Sequence, residues 1–577
     1  GILILLMVST ALAFPGENLI TGMFTADFTP AEQDFIDRKF DQGGFSIMSG
    51  PDFKVERKRG TSYVYPQGID MKKFDKNIFN TSLQNSPGYR DRENFQILVQ
   101  ESETLNQLEN QGLISIESRF NSSDYASVEL LNDASTVFKQ LSNSDTKEVD
   151  LNYRVKALND DADDVLGGPK IRNNLGVNGS GITIAVLDTG VNASHPDFQG
   201  RIVDQKDFTS KGIGDENGHG THVAGSALGD GSASSGQYAG TAPEASLMSV
   251  KVLEESGSGN LDTIISGIDY AANNSADVIS MSLGGRLSTE YTPLTSSVQN
   301  ARDNGSVVIA AAGNDGYYNY TSVPAAIEGA IAVGATNDAK DVTSFTSKGP
   351  VPYDGRPKPE VAAPGVRITS AKYNTSQDYT EKSGTSMSTP LVSGIAALAL
   401  EENTGWTNEE LENALTASGS SNKLDNSQNV FQVGTGVVNA SRVVNPEITF
   451  SETSFNFLDA PAYVDNSQTV TVTNNAPGSV NYSIGSQIHR FDSITSVSQA
   501  SNASISFDRD YIQLNSGESK NLDFNFTISE ENSDPFGALI RLNEVDSSQS
   551  YGLIAGGTSV ETGVKADFSL NSTQIDV

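Results

Sequence analysis

The chain has 577 residues, long enough for three or four domains. Lys plus Arg number 38 against 72 Asp plus Glu, a formal net charge of −34, and cysteine is absent. So acidic a surface repels nucleic acid and anionic lipid and suits solubility at high salt; the missing cysteine excludes disulfides, thiolate zinc sites and a cysteine nucleophile.

Residues 1–13 are apolar and end in Ala11-Leu12-Ala13. They predict the apolar part and small-residue cleavage pattern of a secretory signal whose basic start is missing. The stretch is too short to span a bilayer, and no other long apolar run suggests a transmembrane anchor. The chain therefore reads as exported, either free or associated with the cell surface. Residues 14–93 show little periodicity and receive no function.

Residues 94–160 are more regular. Strands are expected at 95–99, 113–120, 125–131 and 149–155. A helix at 102–110 carries Leu105 and Leu108 and ends at Gly112; a second, capped by Asp133, carries Val137, Phe138 and Leu141 on one face. The βαββαβ order predicts a small ferredoxin-like α+β domain. Residues 159–164 form an acidic linker suited to processing.

From 165 to 445 short apolar strands, at 182–187, 277–281, 306–311 and 330–333, alternate with helical stretches at 222–228, 261–273 and 293–304. The last helix opens with Thr292 as cap and Pro293 in its first position. The alternation predicts an α/β fold, a parallel sheet covered by helices, with sites at the carboxyl ends of the strands. From 446 to 577, alternating strands at 469–473, 481–484, 504–507, 521–528 and 539–542 predict an immunoglobulin-like or fibronectin-like β-sandwich. Asn-x-Ser/Thr sequons at Asn80, Asn192, Asn319, Asn481 and Asn525 fit either glycosylation of an exported chain or an Asn/Ser/Thr-rich composition.

The chemistry-bearing residues recur at the ends of these elements. Asp188 ends the strand at 182–187 and precedes Thr189-Gly190, so it is either a carboxylate at the sheet's carboxyl edge or a turn former. The chain has four histidines, at 195, 219, 222 and 489. His219, flanked by Gly218 and Gly220 at a helix start, is the candidate base. His219 and His222 stand three apart, but without cysteine or a third partner they make a poor metal pair, and His222 reads as a structural histidine. Asn314, just past an apolar strand, can donate to an oxyanion or simply end the strand. Ser386, in Gly384-Thr385-Ser386-Met387-Ser388-Thr389-Pro390, opens an apolar helix, where N–H groups and the helix dipole face developing negative charge. Its plainer reading is a helix cap.

Together these motifs resemble the four signatures of the subtilisin-like serine proteases, in the Asp, His, Ser chain order of that family. The segments are Ala185 through Gly190, His219 through Gly225, Ala311 through Asn314 and Gly384 through Pro390, and the resemblance covers roughly residues 165–445. It implies a serine endopeptidase with Asp188, His219 and Ser386 as triad and Asn314 as oxyanion donor. It also implies that an extended peptide binds Gly257, Ser258 and Gly259 on one side and Ser282, Leu283 and Gly284 on the other. Ala312 and Gly313 would wall the primary pocket; no acidic residue marks its floor, which favours a broad or apolar preference. The βαββαβ segment resembles the family's propeptide, a chaperone-like intramolecular inhibitor removed by autoprocessing. No cofactor is required for the chemistry. Asp197, in Ser194-His195-Pro196-Asp197-Phe198, matches a position that ligates structural calcium in many members, although the loop 229–237 does not match its companion. A non-catalytic adhesion protein on this scaffold is the competing class; the intact set of four residues argues against it. His219 and Asn314 exclude the related hydrolases that use a glutamate and an aspartate there.

Overall fold

The computed structural model describes residues 47–49, 53–58, 61–66 and 95–560, the last with breaks at 101, 121–122, 132–133, 145, 147, 152–153, 158–164, 287–290, 376–377, 421–427, 462–464, 530–533 and 546–548. The expected signal at 1–13, the linker at 159–164, the Asp133 cap and the sequon at Asn80 lie outside the described residues. The chain divides into two compact units. One comprises residues 1–155, 258–270 and 291–300; the other comprises 156–257, 271–290 and 301–577.

In the first unit, β1 (Ile47–Ser49), β2 (Phe53–Lys58) and β3 (Thr61–Pro66) form an antiparallel meander. Then come β4 (Phe95–Gln100), α1 (Glu103–Asn110), β5 (Ile114–Arg119), β6 (Tyr125–Leu130), α2 (Ala134–Ser142) and β7 (Val149–Leu151). The four strands make an antiparallel sheet in the order β5-β6-β4-β7. Leu105 and Leu108, one turn apart on α1, are fully buried, as are Val137, Phe138 and Leu141 of α2. The helix Leu261–Asn273 contributes its first turns to this unit, and there Ser127 of β6 donates to the buried Asp262 Oδ2 at 2.9 Å.

The second unit holds β8 (Arg154–Ala157, from Lys156 on), β9 (Thr183–Asp188), β10 (Ile202–Asp207), α3 (His219–Leu228), β11 (Ser246–Lys251), β12 (Val278–Met281), β13 (Leu283–Gly284), β14 (Val307–Ala311), β15 (Ala330–Thr336), β16 (Val361–Pro364) and α4 (Thr385–Glu402). Seven strands form a parallel sheet in the order β10-β11-β9-β12-β14-β15-β16. The central strands are mostly apolar, and β12, β14 and β15 are buried at every position. The chain leaves β9 towards one edge of the sheet and then crosses to the other, so the end of β9 is a topological switch point. The sequence pattern did not reveal β10, β11 or β16. The first is half-exposed and polar and the last is four residues long, so neither carries the apolar run of a central strand. Two helix starts also differ: α3 begins at His219 rather than His222, and Thr292 is the first residue of the helix Thr292–Asp303 rather than its cap.

Two further sheets follow. Strands β17 (Ile448–Phe450), β18 (Ser454–Pro461), β19 (Asp465–Asn474), β20 (Val480–Ser493), β21 (Ser496–Gln499), β22 (Ala503–Phe507), β23 (Tyr511–Leu514), β24 (Ser519–Ile528), β25 (Phe536–Glu544) and β26 (Ser550–Val560) order as β17-β19-β24-β22 and β18-β26-β25-β20-β21, with β23 beside β20. Val472, Phe524 and Phe526 of one sheet share an apolar core with Tyr482, Ile540 and Leu553 of the other. These sheets cluster with the α/β region rather than as a separate unit. Arg541 of β25 shows why: almost fully buried, it donates to Gly419 O at 2.8 Å and to Thr435 O, and burial pulls its pKa down to about 10, still protonated at neutral pH.

Candidate active site

Asp188 is the last residue of β9, and His219 the first of α3. Both are buried, and the imidazole Nδ1 lies 2.8 Å from Asp188 Oδ1 and 2.9 Å from Oδ2. A carboxylate accepts only, so Nδ1 carries the proton and Nε2 is left as the basic nitrogen. The carboxylate is held in turn by Thr189 N at 2.7 Å. Gly220 is required by the close approach of the two elements, since a Cβ there would stand 2.1 Å from Gly190 O and 3.1 Å from the Asp188 Cβ.

The residue that sets the start of α3 is Asp215. Its Oδ1 accepts from Thr189 Oγ1 (2.9 Å), Asn217 N (3.0 Å) and Gly218 N (2.7 Å); its Oδ2 accepts from Thr221 N (2.9 Å) and Thr221 Oγ1 (2.5 Å). Asp215 thus holds the turn before α3 and the Thr221 N–H of its first turn, while the His219 N–H donates to Asn217 Oδ1 at 3.2 Å and the Gly220 N–H to Thr189 Oγ1 at 2.9 Å. Lys251, opposite Asp188 in the β11–β9 ladder, is fully buried and donates to Thr189 O (2.6 Å), Gly214 O (3.0 Å) and Glu216 Oε2 (2.8 Å), tying the same loop. Sequence reasoning missed Asp215 and Lys251; the one legible signal was an Asp four residues before the His, which loop composition alone also explains.

Ser386 lies in the first turn of α4, whose residues are buried from Thr385 to Ala399. Pro390 sits inside this helix. It has no N–H, so the Ser386 carbonyl, four residues earlier, loses its helical donor. Ser282 takes that place: its Oγ donates to Ser386 O at 2.7 Å, and Ser386 Oγ donates back to Ser282 O at 3.1 Å. The proline and the serine one residue past β12 are therefore a matched pair that seats Ser386. Ser226, also on α3, donates its hydroxyl to His222 O at 3.0 Å within its own helix.

Asn314 follows β14. Its Oδ1 accepts from Thr385 N at 3.0 Å and Thr385 Oγ1 at 3.2 Å, which fixes the amide orientation. The Nδ2 is then a buried donor without a partner among the described residues. Burying such a donor costs free energy unless a ligand satisfies it. Here it lies beside Thr385, next to Ser386 in sequence. Gly313, before it, has φ +114°, and a Cβ there would stand 2.5 Å from Ser322 Oγ and 2.7 Å from Ser347 Oγ. Ala312 is buried at the same strand end.

Leu283 and Gly284 form β13, which pairs antiparallel with β8: Leu283 stands opposite Ala157 and Gly284 opposite Lys156. Gly257 ends a loop of the second unit, whereas Ser258 and Gly259 start a short strand, Ser258–Asn260, of the first.

His222 and His195 are held by backbone groups. His222 is fully buried with Nε2 3.0 Å from Ile368 O and 3.1 Å from Thr380 O; burial, with the charges of Lys382 and His219, holds its pKa down at about 3. His195 hydrogen-bonds Asp378 O through Nε2 at 3.2 Å and accepts from Asp197 N at 3.3 Å. Asp197 itself does not fit a calcium cage. Both its carboxylate oxygens accept from Tyr379 Oη at 2.9 Å, Ala233 N donates to Oδ1 at 3.1 Å, and no cluster of three or more Asp, Glu or His able to hold a metal occurs among the described residues. Calcium needs six or more oxygens; here the Arg201 guanidinium already occupies the carbonyls of Leu228 (2.5 Å) and Ala245 (3.0 Å) as well as that of Asp197.

The buried Asp188–His219 pair at the switch point, and the free Asn314 Nδ2 beside the helix start that holds Ser386, are an arrangement that suits acyl transfer. A family model described as "Subtilase family" matches residues 179–436. The serine protease AprX of Bacillus subtilis (strain 168) is 36% identical over 411 residues, covering 64% of this chain and 90% of that protein. The major intracellular serine protease of the same strain is 43% identical over 39% of this chain and 69% of that protein, and thermitase of Thermoactinomyces vulgaris 45% identical over 38% and 75%. A solved cold adapted subtilisin-like serine proteinase is 38% identical, covering 46% of this chain and 88% of that one, with a TM-score of 0.39. The chain belongs to the subtilase family, and it is a serine peptidase.

Proposed function

We propose that this peptidase is an exported endopeptidase made as an autoprocessed zymogen, and that Asp188, His219, Ser386 and Asn314 do its chemistry. His219 Nε2 takes the Ser386 proton as the hydroxyl attacks the peptide carbonyl, then passes it to the leaving amine, while Asp188 stabilises the imidazolium. The oxyanion is held by Asn314 Nδ2 and an N–H of the first turn of α4. Water then hydrolyses the acyl-enzyme by the same steps in reverse. Substrate adds as an antiparallel strand to β13, with Ala312 and Gly313 walling the pocket for the side chain next to the scissile bond. The C-terminal sheets are an immunoglobulin-like sandwich.

The observation that carries the zymogen reading is the pairing of β8 with β13. Chain that precedes the peptidase region already lies on the strand where a substrate backbone belongs, as a product would. The antiparallel sheet β5-β6-β4-β7 immediately before it then acts as an intramolecular chaperone and inhibitor. The apolar start of the chain supports export; among the described residues no helix is long and apolar enough to cross a membrane.

The test is to express residues 14–577 beside the same chain carrying Ser386→Ala. The parent should release a fragment with a new N-terminus within 158–165, and the variant should stay full length. Equal processing of both, or undiminished peptide hydrolysis by the variant, overturns the assignment.

A further inference from the structure

The segment that leaves Asn314 does not stand alone. It runs along the edge of the site and returns at Ser322, whose N–H donates to Ala312 O at 2.9 Å, and at Val323, which exchanges hydrogen bonds with Gly285 next to β13. The segment therefore joins the oxyanion donor, the pocket wall and the substrate strand. Along the way, Asp315 N donates to Ser347 Oγ (3.0 Å), and Lys348 Nζ donates to Gly316 O (2.6 Å). Its outer face carries the half-exposed Tyr317 and the Tyr320 ring, 5.3 Å apart, with the Arg286 guanidinium 3.6 Å above the latter.

Tyr318 points the other way and is only 7% exposed. Its hydroxyl accepts from Asn429 Nδ2 at 2.9 Å, and its ring shares an apolar cluster with Val430, Phe431, Leu539 and Ile554; Phe491 and Val497 pack against that cluster. Leu539 and Ile554 belong to the C-terminal sheets, and Phe491 and Val497 are cross-strand partners in the hairpin β20–β21. At the tip of that hairpin, Ile494 O accepts the backbone N–H of Tyr318 at 2.8 Å. A backbone bond and a buried ring thus fasten the segment from outside the α/β region.

We propose that the β20–β21 hairpin is a positioning element for the 314–322 segment, through which the C-terminal sheets set the peptidase's preference at the pocket beside the scissile bond. The inference rests on the placement of that pocket at Ala312 and Gly313. Without the hairpin the segment keeps its bonds to Ser347, Lys348, Gly349 and Ala312 but loses the hold on the Tyr318 backbone and the packing on its ring, so its middle samples more conformations, and a wall that must be ordered by the substrate raises KM for side chains that fill the pocket. Substrates with a small side chain there make no use of the wall.

The test replaces 492–496 with Asn-Gly. Phe491 and Val497 already face each other, so a two-residue turn can join them while Ile494 is removed. Peptide anilides with Phe and with Ala before the scissile bond are compared on mature enzyme, with active sites counted by a fluorophosphonate. The truncation should lower kcat/KM for Phe through KM by about fivefold relative to Ala, the factor carried by one hydrogen bond, with unchanged active-site titre. Phe491→Ala, which keeps the turn and removes only the hairpin's packing on the Tyr318 cluster, should move the ratio the same way by less, and it decides the matter if the truncation does not fold. A ratio within twofold of the parent in a fully titrating variant overturns the proposal, as does an equal loss for both substrates. Unchanged hydrolysis in Ser386→Ala defeats the active-site assignment instead, whatever the hairpin does.

Discussion

The proline inside α4 makes a quantitative prediction. Without an N–H at Pro390, the buried Ser386 carbonyl depends on Ser282 Oγ, 2.7 Å away. Ser282→Ala removes that donor from a buried acceptor, at a cost of about 1–3 kcal/mol. Pro390→Ala alone should be close to neutral: it restores a helical N–H four residues on, where the serine already serves. The double variant should therefore recover most of the loss, because the backbone N–H introduced by Pro390→Ala reaches the Ser386 carbonyl. The coupling should be about 1 kcal/mol or more. Urea unfolding of all four forms in a Ser386→Ala background, which keeps the carbonyl and suppresses autolysis, gives the cycle. A Ser282→Ala cost below about 0.5 kcal/mol, or a double variant no more stable than Ser282→Ala, refutes the pairing.

Asn314→Leu should cost both activity and stability. It removes the Nδ2 donor, so kcat should fall by about 10²–10³, the loss known for the corresponding donor of subtilisin and carried over from that relative, and it takes the Oδ1 acceptor from the buried Thr385 N–H, so stability should fall by about 1–3 kcal/mol; retained kcat would count against the oxyanion role. His222 bears on acid stability. Its pKa is held down at about 3 in the folded state against an ordinary 6.5, so the unfolded chain binds the extra proton. The stability it contributes is complete above pH 6.5 and drains away as pH falls towards 3. His222→Gln, measured by denaturant unfolding, should flatten that limb by about 1.4 kcal/mol per pH unit; an unchanged slope is incompatible with this. The Asp197 geometry predicts that EDTA leaves thermal unfolding in place, whereas Tyr379→Phe lowers it. A chelator-dependent drop in the parent would restore the calcium ligand.

The sequence by itself carried the family and the class of chemistry because catalysis ties particular residue types to particular element ends. Asp188 after an apolar strand, His219 between glycines at a helix start and Ser386 before an apolar run are local statements, and the central strands beside them are mostly apolar. The polar edge strand β10 and the four-residue β16 lacked that signature and stayed hidden. What only the tertiary structure decided are the partnerships between segments far apart in the chain. Asp215 capping the helix of the base, Ser282 replacing the donor that Pro390 lacks and Tyr379 occupying the carboxylate of Asp197 leave no periodic trace, as each needs one polar atom brought within hydrogen-bond reach of another by the fold rather than by local spacing. The grip of the β20–β21 hairpin on Tyr318 is of the same kind: a backbone hydrogen bond has no side chain by which a sequence can announce it.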